Sequence, residues 1–285
     1  MAFETLIAVP ELHRLLAGPN PPLLLDCSFD LADPSRGEHM YREGHLPGAF
    51  HAHLDRDLAA PPRGDDGRHP LPGRTQLADW LRRRGLAAGR QVVCYDASGA
   101  AWAARAWWLL KWLGHAEVAV LDGGTPAWVA AGHALETAVP PLPAPGDFAP
   151  RSPLVPAPVD AADVLANIAA PTAQVLDARD PSRFRGEPNP IDPVAGHIPG
   201  ARSRFFRDNL TPEGRFRPAA ELRAEFEALL AGRPAVLQCG SGVTACHNAL
   251  AMAVAGLAPG RLYPGSWSEW ISDPARPVAT GDAIP

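Results

Sequence analysis

Four cysteines stand in this chain, at positions 27, 94, 239 and 246, and Cys239 is the one placed for chemistry. It heads the run Cys-Gly-Ser-Gly-Val-Thr-Ala (239–245), directly behind the apolar run Ala-Val-Leu-Gln (235–238). That order predicts a strand, a tight loop and a helix N-terminus. Gly240 and Gly242 let such a loop curl and turn several N–H groups toward one point. Those groups and the helix dipole favour negative charge, so a thiolate is the expected form of the cysteine. The outer sulfur of a persulfide would be held by the same cradle. Thr244 is expected to cap the helix through its hydroxyl.

The other cysteines read differently. Cys27 and Cys94 lie inside or at the end of apolar runs, the ordinary setting of a buried, inert thiol. Cys246 is placed about two turns into the helix after the loop, either packed or poised as a redox partner of Cys239.

The elements that must hold Cys239 are repeated in the chain. Leu-Leu-Leu-Asp-Cys-Ser-Phe-Asp (23–30) matches Val-Leu-Asp-Ala-Arg-Asp-Pro-Ser (175–182). Gly-His-Leu-Pro-Gly-Ala-Phe (44–50) matches Gly-His-Ile-Pro-Gly-Ala-Arg (196–202). The run at 92–99 matches 235–242, and Asp-Gly-Gly-Thr-Pro-Ala-Trp (122–128) matches Pro-Gly-Ser-Trp-Ser-Glu-Trp (264–270). Order and offset are kept, so the chain reads as a duplicated domain. At the position of Cys239 the first copy carries Asp96, followed by Ala97, Ser98 and Gly99. The turn is retained and the nucleophile is absent, which assigns any chemistry to the second copy.

Each copy alternates short apolar runs with helix-period runs. Residues 174–177 and 235–239 read as buried strands, and 219–231 as an amphipathic helix with Leu222, Phe226 and Leu229 on one face. Residues 75–84, 100–113 and 244–254 read as further helices. The fold class is therefore α/β, with two tandem domains, each a mainly parallel sheet flanked by helices on both faces. In such sheets functional groups collect at the carboxyl ends of the strands. Residues 1–138 form the first domain and 159–285 the second. Between them, 139–158 holds eight prolines and reads either as a disordered tether or as an extended linker laid across the surface of both domains, where Phe148, Leu154 and Val155 would dock.

Composition narrows the partners. A net charge of -5 with no basic run argues against nucleic acid and anionic membranes. The N-terminal residues lack a basic region followed by an apolar stretch, and no apolar run is long enough to span a bilayer. A soluble, cytoplasmic protein with reduced thiols is expected. No Cys-x-x-Cys pair or zinc-spaced cluster occurs, so no metal or organic cofactor is implied.

The loop 239–245, the duplication, the two Gly-His-x-Pro-Gly-Ala turns and the late Ser-Trp-Ser-Glu-Trp resemble the rhodanese superfamily, and specifically the 3-mercaptopyruvate sulfurtransferases. The resemblance covers nearly the whole chain. It implies an inactive first domain and a second domain whose Cys239 takes up sulfur as a persulfide. The sulfur then passes to a thiol, thioredoxin or cyanide. It implies that Gly240, Gly242, Val243 and Thr244 surround the donor, and that Arg185 and Arg179 bind its carboxylate. A structural ion pair with Asp177 is the other reading of Arg179. Ser241 would relay a proton with a histidine matched by His45, although a histidine in such a turn also reads as structural, as His197 does. Thiosulfate-preferring relatives carry cations just after the cysteine. Gly240 and Ser241 are neutral, which favours 3-mercaptopyruvate, a monoanion.

Three other readings remain beside this one. A cysteine phosphatase needs an arginine where this chain has Ala245, so no guanidinium closes a phosphate loop. A non-catalytic binding module would be expected to lack its cysteine, as the first copy does. A thiosulfate:cyanide sulfurtransferase of the same fold would need cations supplied from outside the loop.

Overall fold

The structure, a computed structural model, describes residues 2–282. The chain divides into two compact units. The first comprises Met1–Ala60, Pro72–Leu154 and Pro212–Phe216, the second Pro61–Leu71, Val155–Thr211 and Arg217–Pro285. A short segment of each half of the sequence thus belongs to the other half's unit.

The first unit is built on strands β1 (Leu6–Ile7), β2 (Leu23–Asp26), β3 (Phe50–His51), β4 (Val92–Tyr95) and β5 (Val118–Leu121). They form one parallel sheet in the order β1-β5-β4-β2-β3. The second unit has β6 (Gln174–Asp177), β7 (Arg202–Ser203), β8 (Ala235–Gln238) and β9 (Arg261–Leu262), parallel in the order β7-β6-β8-β9. Parallel neighbours require crossovers, and helices supply them on both faces. The four-residue strands β2, β4, β5, β6 and β8 are accordingly buried at every position, which is why they read as short apolar runs, with polar residues only at the ends of β2, β6 and β8.

Each unit has its own core. In the first, Leu24, Val93, Tyr95 and Leu121 pack with Leu12, Leu46 and Trp128. In the second, Val175, Val236 and Tyr263 pack with Phe184, Ile198, Trp267 and Trp270. The helix Ala219–Leu230 buries Leu222, Phe226 and Leu230. Leu230 takes the place expected of Leu229, because successive fourth residues share a helical face.

The proline-rich stretch is an extended strap. In the first unit, Gly146, Phe148, Arg151 and Leu154 donate backbone N–H groups to the carbonyls of Arg82, Leu86, Leu113 and Lys111. Phe148 is buried there, edge-on to His115. Val155 is buried in the second unit, where Val159 N–H bonds to Leu262 O. Leu154 is exposed, contrary to its expected docking: its backbone is held while its side chain points to water. No helix among the described residues is long and apolar enough to cross a membrane.

Candidate active site

Cys239 follows β8 at its carboxyl end, and the next helix, Ala245–Val254, starts six residues later. The loop between them turns back on itself. Gly242 has φ +74°, and a Cβ there would lie 2.3 Å from Pro264 O, so only glycine fits. Two contacts brace Cys239 from the turn after β9: Trp267 N–H donates to Cys239 O at 3.0 Å, and Cys239 N–H donates to Ser266 Oγ at 3.1 Å. Within the loop, Ser241 N–H points at Cys239 Sγ at 3.5 Å. Cys239, Ser241 and Val243 are all buried.

Two sequence expectations change at the helix start. Thr244 occupies the N-cap but its side chain makes no capping bond, because the residue is already helical at φ -71°, ψ -12°. The preceding turn leaves its hydroxyl no early amide to reach. Cys246 lies in the first helical turn rather than two turns in, with Sγ donating to Gly242 O at 3.4 Å. The thiols of Cys27 and Cys94 lie buried in the first unit, and burial pushes the Cys27 thiol well up from its ordinary value, with Cys94 beside it adding to the shift.

The matching loop of the first unit holds a carboxylate. Asp96 occupies the place of Cys239, and its carboxylate collects four backbone N–H groups. Oδ1 accepts from Ser98 and Ala100 at 2.7 and 2.9 Å, and Oδ2 accepts from Trp102 and Ala103, both at 2.9 Å. The loop is a nest of N–H donors filled by its own side chain; burial raises the Asp96 carboxyl from its ordinary value, and the four N–H groups pull it back toward the charged form.

Three arginines gather at the second loop. A Cβ on Gly240 would lie 2.8 Å from Arg68 Nη2 and 3.0 Å from Arg183 Nη2, so both guanidiniums rest against this glycine. Arg183 is held by Asp192 through two bonds of 2.8 and 2.9 Å, and Arg68 Nη1 stands 3.7 Å from the same carboxylate. Arg179 completes the group. It pairs with Asp177 at 2.7 Å and reaches Asp192 at 3.3 Å and Gly196 O at 2.8 Å. Its guanidinium lies over the Trp267 ring at 4.5 Å. Burial pulls the Arg179 guanidinium toward deprotonation, but Asp177 and Asp192 outweigh it and hold it above its ordinary value.

The sequence had pointed to Arg185 instead. Its guanidinium lies at the surface, paired with Glu187 at 2.6 Å. Both arginines belong to the short helix Pro181–Arg185, where residues two apart face away from each other. Arg183 therefore meets the loop and Arg185 meets solvent. Arg179 makes the ion pair with Asp177 that one of its two readings expects.

The histidine beside Ser241 is His69, with Nδ1 2.7 Å from Oγ and the ring buried. His69 belongs to the segment Pro61–Leu71 of the second unit, anchored by Arg68 N–H donating to Ser268 Oγ at 3.0 Å. The expected His45 is enclosed in the first unit, its Nδ1 2.7 Å from Tyr41 O and its ring stacked on Tyr41. His197 repeats that arrangement with Phe184, at 2.8 Å from its carbonyl and stacked on its ring. Both turn histidines thus tie a turn to the preceding helix. The signal for His69 lay in the duplication: Gly67-Arg68-His69 matches Gly214-Arg215-Phe216, the segment that joins the first unit.

The family profile described as the rhodanese-like domain matches residues 8–131 and 160–273. The chain belongs to the rhodanese-like domain family. Along its length it is 53% identical to a Pseudomonas aeruginosa protein named "Probable 3-mercaptopyruvate sulfurtransferase", covering 99% of this chain and 100% of that one. It is 38% identical to the human 3-mercaptopyruvate sulfurtransferase, over 94% and 91% of the two chains. Among solved structures, the 3-mercaptopyruvate sulfurtransferase of Leishmania major superposes with a TM-score of 0.83 at 31% identity, covering 94% of this chain and 74% of that one. Both rhodanese-like domains keep the loop; the first has Asp96 where the second has Cys239.

Proposed function

We propose that the protein is a 3-mercaptopyruvate sulfurtransferase acting through a persulfide on Cys239. The observation that carries this reading is that Cys239 stands where the matching loop of the first unit holds the Asp96 carboxylate. The Asp96 carboxylate reaches four N–H groups through the path Cβ–Cγ–Oδ. A persulfide has the same number of bonds, Cβ–Sγ–Sδ. Its outer sulfur would take the place of an Asp96 oxygen, where the loop is built to hold negative charge.

In the reaction, the Cys239 thiolate attacks the sulfur of the donor. The new S–S bond forms as the C–S bond breaks, and the electron pair leaves on the pyruvate enolate. The proton carried by the donor thiol ends on the enolate carbon, giving pyruvate and an anionic persulfide. Ser241 and His69 relay that proton, and Arg183 and Arg68 attract the donor carboxylate. A thiol, thioredoxin or cyanide then attacks the outer sulfur and restores the thiolate. Turnover needs reduced Cys239, which suits a reducing compartment such as the cytoplasm.

The arginines over Gly240 favour a second reading, in which thiosulfate is the donor, since they bring the cations that the loop itself lacks. Steady-state kinetics with both donors decides. The expected result is a kcat/KM at least tenfold higher for 3-mercaptopyruvate, abolished in Cys239→Ser. A preference for thiosulfate would keep the nucleophile and replace the donor.

A further inference from the structure

The buried carboxylate of Asp192 touches all three arginines of the site. It holds Arg183 through two bonds, meets Arg179 at 3.3 Å and lies 3.7 Å from Arg68. A single carboxylate shared among three guanidiniums leaves two of them short of a full partner. Asp177 serves one, Arg179. Among the described residues three cations therefore face two carboxylates, and the cluster, counted without the Cys239 thiolate, presents one net positive charge beside Gly240. A cluster without Asp192 would present two.

We propose that Asp192 is a specificity-determining residue that sets the site's charge for a singly charged donor and against a doubly charged one. The inference rests on the sulfur-transfer reading of the same site. Its physical basis is simple: each negative charge on a donor feels the charge at position 192 once, so a dianion feels it twice. Asp192 also fixes the planes of Arg183 and Arg179, because a carboxylate orients a guanidinium through paired bonds. It acts through the arginines rather than on the reacting atoms, so it is a positioning and tuning residue.

The test is the ratio of kcat/KM for thiosulfate to that for 3-mercaptopyruvate, measured on the full chain. Asp192→Asn should raise this ratio about tenfold, the scale of one unit charge at a few ångströms in a partly solvated site. Asp192→Glu, which keeps the charge, should leave the ratio near the wild-type value. Arg183→Gln changes the charge in the opposite sense and should lower the ratio, even as it weakens both donors. It retains Asp192 with Arg68 and Arg179, so it serves where Asp192→Asn does not fold. A ratio unchanged in Arg183→Gln and in any folded Asp192→Asn overturns the proposal. So does a Glu variant that shifts the ratio as far as Asn. The donor preference of the wild type tests the underlying reading separately, because the shift on mutation is expected whichever donor the wild type prefers.

Discussion

His69 Nδ1 lies 2.7 Å from Ser241 Oγ, and both side chains are buried. Ser241 N–H in turn faces Cys239 Sγ, so the hydroxyl, the imidazole and the thiol sit within one loop's reach. A pair of this kind can carry a proton to a carbanion leaving group, a contribution of about 10²-fold or more. Pyruvate enolate needs that proton, whereas sulfite, leaving from thiosulfate, does not. His69→Asn is therefore expected to lower kcat with 3-mercaptopyruvate by about 10²-fold and to leave the thiosulfate rate within a few-fold. Equal losses with both donors would make His69 a packing residue.

Ser266 has φ +53°, a left-handed conformation that disfavours any side chain. The first unit has Gly124 at the matching position, with φ +55°. A Cβ on Gly124 would lie 2.0 Å from Asp96 O, so that turn excludes what this one contains. The serine is retained in strain by its hydroxyl, which accepts from Cys239 N–H and donates to Tyr263 O at 2.8 Å. Ser266→Ala keeps the strain, removes both bonds and leaves two buried backbone groups unpaired, so it should cost about 1–3 kcal/mol. Ser266→Gly loses the same bonds but relieves the strain, and should cost less. Denaturant unfolding of the two variants gives the order; an alanine variant as stable as the glycine one would remove the argument from strain.

What could be read from the sequence was what neighbours in the chain determine. The strand, loop and helix around Cys239, and the Asp96 counterpart, depend on residues a few positions apart. Arg68 and His69 were missed because they reach the site from the segment Pro61–Leu71, far from Cys239 in sequence, and nothing local marks them. The repeat carried the information, in Gly-Arg-His set against Gly-Arg-Phe. That Arg183 rather than Arg185 meets the loop has a different reason. A resemblance aligns motifs, but the choice between residues two apart on one helical turn depends on where that turn begins. The same uncertainty in the helix start displaced Thr244 from capping and Cys246 from its expected depth.

Arg183 and Arg185 can be separated by one measurement each. Arg183→Ala removes a guanidinium that rests on Gly240 and leaves Asp192 with less compensation. The KM for 3-mercaptopyruvate should rise about 10- to 100-fold, the scale of a charge-assisted pair with a carboxylate. Arg185→Ala breaks only a surface pair with Glu187, of a kind that contributes little, and its kinetics should stay within twofold of wild type. A larger KM effect at Arg185 than at Arg183 would restore the assignment suggested by family resemblance.

Buried histidines also give the protein a pH dependence. Phe148 packs its ring edge-on to His115, 5.3 Å between centroids, and Nε2 of the histidine lies 2.9 Å from Arg90 O. Burial holds the His115 imidazole below its ordinary value of 6.5. Glu117, 3.9 Å from Nδ1, pulls the other way, and Lys111 adds to the lowering. His53 and His197 are likewise held low by burial. In each case the unfolded chain takes up a proton first as pH falls. The stability tied to the neutral ring is then fully present above about 6.5 and lost as pH falls from there toward the folded value. Each ring can contribute a slope of at most about 1.4 kcal/mol per pH unit in that window. From pH 7.5 to 5 the unfolding free energy, measured by denaturant, should therefore shift toward lower stability by more in the wild type than in His115→Gln. Identical slopes in the two proteins would mean that His115 titrates in the folded chain as it does in the unfolded one.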